Sequence, residues 1–163
     1  WSSKDKAKKM NNKRRKIIKS IFLIFFSISF HKFNKLLALE NSKIINPNLT
    51  DEQISIMFGG ATELPGSSKL NFEKRKGSYY CANCKAKLFA SVSKFESGTG
   101  WPSFTQAIPG AFKTKIDFSY GMKRTAYYCA KCGAHHGHVF NDGPGPSGKR
   151  YCSNGVCLIF IPD

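Results

Sequence analysis

Two Cys-x-x-Cys pairs, Cys81-Ala-Asn-Cys84 and Cys129-Ala-Lys-Cys132, constrain the fold more than any other feature of this chain. Each pair puts two thiols on one tight turn, which is half of a tetrahedral site. Together they supply the four-cysteine set of a closed zinc site. Four thiolates leave no open coordination position. One structural zinc per chain, held by Cys81, Cys84, Cys129 and Cys132, is therefore expected to staple the fold and not to catalyse. Two disulfides, or a metal-free redox pair, are the competing readings of the same spacing. The 44 residues between the knuckles (85–128) exceed a zinc-finger loop and must hold part of the fold.

Around the knuckles lie short apolar segments punctuated by turn residues. Tyr79-Tyr80-Cys81, Lys87–Ala90, Thr125–Tyr128, Gly137–Phe140 and Val156–Phe160 predict strands. Gly98-Thr99-Gly100, Pro109-Gly110 and Asp142-Gly143-Pro144-Gly145-Pro146 predict the turns between them. Upstream, Thr50 and Gln53 make a capping-box signature for a helix. Its apolar stripe would be Ile54, Met57 and Phe58, and Gly59-Gly60 would end it. The expected architecture is mostly β: a small antiparallel fold of two packed sheets, a partly open barrel, with a short N-terminal helix and a zinc knuckle pair of four cysteines.

The net charge of +16 invites a nucleic-acid reading, but its distribution weakens it. Residues 1–40 hold 11 Lys/Arg against 2 Asp/Glu, so +9 lies there and only +7 in the remainder. From Met10 the pattern is a basic stretch, Asn11-Asn12-Lys13-Arg14-Arg15-Lys16, then an apolar run from Ile21 to Phe30. Ten residues are half of what a bilayer span of about 20 requires, and the run has the length of a signal-peptide core. Residues 1–46 are thus read as a targeting or signal region and 47–163 as the folded domain. The expected location is exported or organellar (periplasm, thylakoid lumen or plastid), with a cytoplasmic protein as the alternative.

Two of the six cysteines, Cys152 and Cys157, belong to neither knuckle. Cys152 sits in Lys149-Arg150-Tyr151-Cys152-Ser153-Asn154, where a guanidinium two residues away favours the reactive thiolate. A buried strand cysteine is the bland alternative. Two further blocks stand out. One is Lys94-Phe95-Glu96-Ser97-Gly98-Thr99-Gly100-Trp101-Pro102-Ser103-Phe104, and the other is His135-His136-Gly137-His138-Val139-Phe140-Asn141-Asp142-Gly143-Pro144.

With Leu49-Thr50-Asp51-Glu52-Gln53, the knuckles and the Cys152 block, these segments follow one another in an order that resembles the B-type methionine sulfoxide reductases, from about Asn48 to Pro162. The resemblance implies a thiol-dependent reduction of methionine-R-sulfoxide, free or in proteins, as repair of oxidative damage. It implies that Cys152 attacks the sulfoxide sulfur and becomes a sulfenic acid. His135 and His138 would donate protons, Arg150 would depress the thiol pKa, and Asn154 would contribute a polar contact. Trp101 would receive the methyl group, with help from Phe140. His136 stands where the family has an apolar residue and receives no role.

In one respect the chain departs from the family pattern. Thr99 occupies the position of the resolving cysteine that many members carry, and a hydroxyl cannot form a disulfide. Cys157 lies an odd number of residues from Cys152, which on a regular strand puts it on the opposite face, as a buried residue. Recycling is therefore expected to use an external thiol of the glutathione, glutaredoxin or thioredoxin type, the alternative being a strand break at Asn154-Gly155 that lets Cys157 resolve Cys152; the protein is expected to be a monomer that binds no nucleic acid. The reading of a different class is a non-enzymatic zinc ribbon binding nucleic acid through exposed Tyr79, Tyr80, Tyr127 and Tyr128.

Overall fold

The structure, a computed structural model, describes residues 44–163, so the segment read as a targeting region lies, up to residue 43, outside the described residues. Helix α1 (Asp51–Gly59) begins as its capping box requires. The Thr50 hydroxyl accepts the Gln53 N–H (3.2 Å) and the Gln53 side chain accepts the Thr50 N–H (2.9 Å), which satisfies two otherwise orphaned donors. Gly60 ends the helix in the left-handed region at φ 79°, where a side chain would be strained. The fully buried positions are Ile56 and Met57, with Ile54 and Phe58 packed at the margin. The stripe is thus rotated toward Ile56 from the one expected.

Among the described residues nine strands form two sheets, with every pairing antiparallel. The smaller sheet has β1 (Gly77–Cys81) between β2 (Lys87–Ala90) and β9 (Leu158–Pro162). The larger runs in the order β3 (Lys94–Phe95), β4 (Ser103–Phe104), β8 (Arg150–Ser153), β7 (His135–Phe140), β6 (Arg124–Cys129), β5 (Phe112–Asp117). The sheets stay distinct and do not close into a barrel. Aromatic rings fill the core. Phe89 stacks on Phe104 at 4.0 Å, Tyr79 meets Phe104 edge-on at 4.9 Å, and Phe112 meets Tyr127 at 4.6 Å.

Several expectations need correction. Val156–Phe160 is not one strand: a 3-10 turn (Gly155–Cys157) precedes β9, because the chain must leave β8 and change sheets within four residues. Strands β3, β4, β5 and β8 lie outside the expected set. In β5 the alternation of Phe112, Thr114 and Ile116 with Lys113, Lys115 and Asp117 is a legible period-two signal. In β8 four residues offer no alternation to read. Tyr79 and Tyr127 are 0% exposed and belong to the core, so they are unavailable for base stacking. Of the four tyrosines on which the nucleic-acid reading depended, only the half-buried Tyr80 and Tyr128 remain.

Candidate active site

Strand β8 places Cys152 directly opposite His138 of β7 and Ser103 of β4. Residues directly opposite on antiparallel strands share a face, with Cβ atoms about 5 Å apart. Backbone register therefore puts the two residues side by side on one face, with no dependence on loop conformation. Cys152 is half-buried. Burial pushes its thiol above the ordinary 9.0, while the Arg150 guanidinium and the Thr99 hydroxyl beside it pull the other way. Arg150 thus acts in the expected direction, but in the free protein burial outweighs it. The guanidinium is held by Asp142 through two bonds, Nε to Oδ1 at 2.9 Å and an Nη to Oδ2 at 2.8 Å, and lies 4.4 Å over the Phe140 ring.

An i, i+3 pair on a regular strand points to opposite faces. Yet the His135 and His138 rings lie 5.4 Å apart. The reason is a β-bulge. Tyr127 pairs with Gly137 and the next residue, Tyr128, pairs with His135, so His136 is an extra residue in β7. The bulge brings His135 and His138 to one side and turns His136 into the core against Phe112, with ring centroids 5.7 Å apart. Burial lowers the His135 pKa to about 4 and that of His136 to about 3. His138 Nε2 lies 2.7 Å from the Asp117 carboxylate, which also takes the Arg124 guanidinium at 3.0 Å.

The loops over this face are tied down by Glu63 and Asn154, both buried. The Glu63 carboxylate accepts the N–H groups of Gly155 and Val156, its carbonyl accepts the Trp101 indole N–H (3.2 Å), and its own N–H goes to Asn154 Oδ1 (3.1 Å). The Asn154 amide donates to the His136 carbonyl at 3.2 Å. The amide of Asn154 therefore joins three segments of scaffold. Beside Cys152, Ser97 bridges the hydroxyls of Thr99 and Ser103, each at 2.8 Å. Cys157 is 0% exposed within the core cluster.

Sequence reasoning missed Asp117, Asp142 and Glu63. Asp142 lies within the segment from His135 to Pro144, and a guanidinium near a thiolate calls for a counter-ion. Nothing in linear order points to Asp117, which is 21 residues from His138. Nothing points to Glu63 either, which is more than 90 residues from the amides it binds.

The two knuckles fold alike. Cys81 N–H donates to Ala86 O while Lys85 N–H returns to Cys81 O; Cys129 N–H donates to Ala134 O while Gly133 N–H returns to Cys129 O. Lys85 (φ 59°) and Gly133 (φ 74°) make the same left-handed step. One knuckle ends β1 and the other ends β6, so the cluster joins the two sheets. The four sulfurs lie within 4.8 Å of one another, with Cys81–Cys132 at 3.8 Å and Cys84–Cys129 at 3.5 Å. A tetrahedron with metal–sulfur bonds of about 2.3 Å has edges of about 3.8 Å, so the donors are set for such an ion. Burial pushes the Cys84 thiol up to about 12, and hydrogen bonds with the Cys129 and Cys132 sulfurs push Cys81 higher still. Hydrogen bonds with the Cys129 and Cys81 sulfurs lower Cys132, so a cation is what would keep the raised Cys81 and Cys84 thiols ionised beside it.

A half-buried cysteine set by strand register against an imidazole, on a β fold whose sheets meet at a four-thiol cluster, places the protein among the thiol-chemistry domains. Residues 49–162 match the SelR domain family. The chain is 51% identical over 113 residues to the peptide methionine sulfoxide reductase MsrB of Methanosarcina barkeri, covering 69% of this chain and 80% of that one. It is 51% identical over 115 residues to the MsrB of Pseudomonas fluorescens, covering 70% and 88%, and 50% identical over 113 residues to that of Leptospira interrogans, covering 69% and 86%. The chain belongs to the SelR family of B-type methionine sulfoxide reductases.

Proposed function

We propose that this protein reduces methionine-R-sulfoxide, free or within proteins, to methionine. The observation that carries the proposal is the direct cross-strand opposition of Cys152 and His138 inside the SelR match. The Cys152 thiolate attacks the sulfoxide sulfur. The oxygen, protonated from His138 or His135, passes to the cysteine sulfur as the sulfur–oxygen bond of the substrate and the sulfur–sulfur bond formed by the attack both break, leaving methionine and Cys152 sulfenic acid. Arg150, fixed by Asp142, offsets the charge of the attacking thiolate. Trp101, held by its indole N–H, and Phe140, beneath the guanidinium, would form the apolar wall for the methyl group. Asn154 would act by keeping the segment after Cys152 in place.

Cys81, Cys84, Cys129 and Cys132 would hold one zinc, whose contribution is to cross-link the sheets. Two equivalents of an external thiol of the glutathione, glutaredoxin or thioredoxin type then return the sulfenic acid to the thiol, releasing water and a disulfide. The protein would work as a monomer in oxidative-damage repair, and its N-terminal residues would direct it to an exported or organellar compartment. Fusing residues 1–46 to a reporter and locating it tests the last point. Incubation with dithiothreitol and each pure epimer tests the reaction. Methionine should form from the R epimer only, and Cys152→Ser should abolish it. Undiminished turnover by that variant would reject the assignment.

A further inference from the structure

Among the described residues, Asp117 is the carboxylate that touches the imidazole of His138, the residue opposite Cys152. It ends β5, directly opposite Arg124 of β6, at the mouth of the β5–β6 hairpin. Its Oδ2 lies 2.7 Å from His138 Nε2 and 3.0 Å from an Arg124 Nη. The same carboxylate accepts the Ser119 N–H at 2.9 Å and the Ser119 hydroxyl at 2.8 Å. One group therefore clamps the hairpin tip and the imidazole together. Its own side chain is 23% exposed and that of His138 13%, so solvent screens the pair only partly.

An imidazole serves as a proton donor only in the correct tautomer and orientation, and its second nitrogen sets both. With Nε2 committed to Asp117, the other nitrogen, Nδ1, is the one left for the reaction. We propose that Asp117 is a positioning residue for sulfoxide reduction: it fixes the tautomer and orientation of the His138 ring on the face that His138 shares with Cys152 and keeps His138 protonatable inside a half-buried site. This inference rests on the proposed proton donation by His138.

The groups facing His138 are Asp117 of β5, Arg124 of β6, His135 on its own strand with Tyr128 against it, and Cys152 of β8. Burial lowers the His138 pKa, Asp117 raises it, and Arg124 lowers it. Burial raises the Asp117 carboxyl, but bonds from Ser119 and His138 overcome this and hold it well below the usual carboxylate range. Asp117 is thus an anion throughout the working pH range. Without its charge, burial and Arg124 would act unopposed, and His138 would be protonated only at lower pH.

The experiment uses the full metal-loaded chain and compares Asp117→Asn, Asp117→Glu, Ser119→Ala and His138→Gln. Two readouts are taken: the pH profile of kcat and KM for methionine-R-sulfoxide, and the titration of the His138 ring protons by NMR. Asp117→Asn should lower kcat at pH 8 by about tenfold or more with KM little changed. Its activity profile and the His138 titration should both move to lower pH. Asp117→Glu should restore part of both. Ser119→Ala, which loosens the tip without removing the charge, should leave the profile where it was. An unmoved His138 titration and an unmoved profile in Asp117→Asn, with His138→Gln inactive, would overturn the role of Asp117 alone. A fully active His138→Gln would overturn it together with the proton-donor role of His138.

Discussion

A side chain at Gly137 would meet the carbonyl oxygen of Cys152 at 1.9 Å. The β7 and β8 backbones approach here as only a residue without Cβ allows, one position before His138. Gly137→Ala must push β8 away, and with it the nucleophile. We expect a stability loss of about 1–3 kcal/mol and a much larger proportional loss of activity. Thermal melting and sulfoxide turnover on the same preparation check this. A variant that melts lower but turns over normally would show that the close approach does not position Cys152.

The four-thiol cluster joins β1 to β6, so its loss should be felt by both sheets. Metal analysis of the purified protein should give about one zinc per chain. Cys84→Ser should lose the metal and lower the melting temperature together, because metal binding is folding free energy. A metal-free variant that melts normally would contradict the stapling role.

Neither nitrogen of the fully buried His136 has a hydrogen-bond partner among the described residues. An unsatisfied buried polar group costs about 1–3 kcal/mol, and leucine is close to imidazole in volume. His136→Leu should therefore raise the melting temperature at pH 7. The sign with pH follows from the depressed folded pKa, about 3 against an ordinary 6.5. Below about pH 6.5 the unfolded chain binds a proton that the folded one refuses, so stability falls from there toward about pH 3. The advantage of His136→Leu should then widen between pH 7 and pH 5. Melting curves at both values decide it, and a constant or negative difference would refute the argument.

Thr99 stands beside Cys152, whereas Cys157 is sealed in the core. After one turnover without reductant, Cys152 should remain a sulfenic acid trappable by dimedone. Thr99→Cys should instead give an internal disulfide and raise thioredoxin-dependent turnover. Peptide mapping separates the outcomes. A Cys152–Cys157 disulfide as the main product would show that the core opens during catalysis.

Local chemistry was enough for part of this protein. The capping box at Thr50 and Gln53 and the knuckle turns at Cys81–Cys84 and Cys129–Cys132 depend on bonds between residues a few positions apart, so they can be read in linear order. The order of the motif blocks also marked Cys152, His138 and Arg150 before any geometry was known. Strand β2 was legible to its ends, and β8 was not, because four residues cannot show a period.

What tertiary structure decided is how those residues meet. The bulge at His136 brings His135 and His138 to one face, against the period-two rule. It arises from the pairing of β7 with β6, which no residue of β7 announces. Asp117 and Glu63 became parts of the site only when strands and loops distant in sequence were packed together. The Cys152 thiol tells the same story. Its neighbour Arg150 was visible in the sequence and lowers the pKa, but burial, which exists only once the chain is folded, sets the net direction. Residue identity therefore determined which chemistry was available, and the long-range register and burial determined which groups face one another and in what charge state.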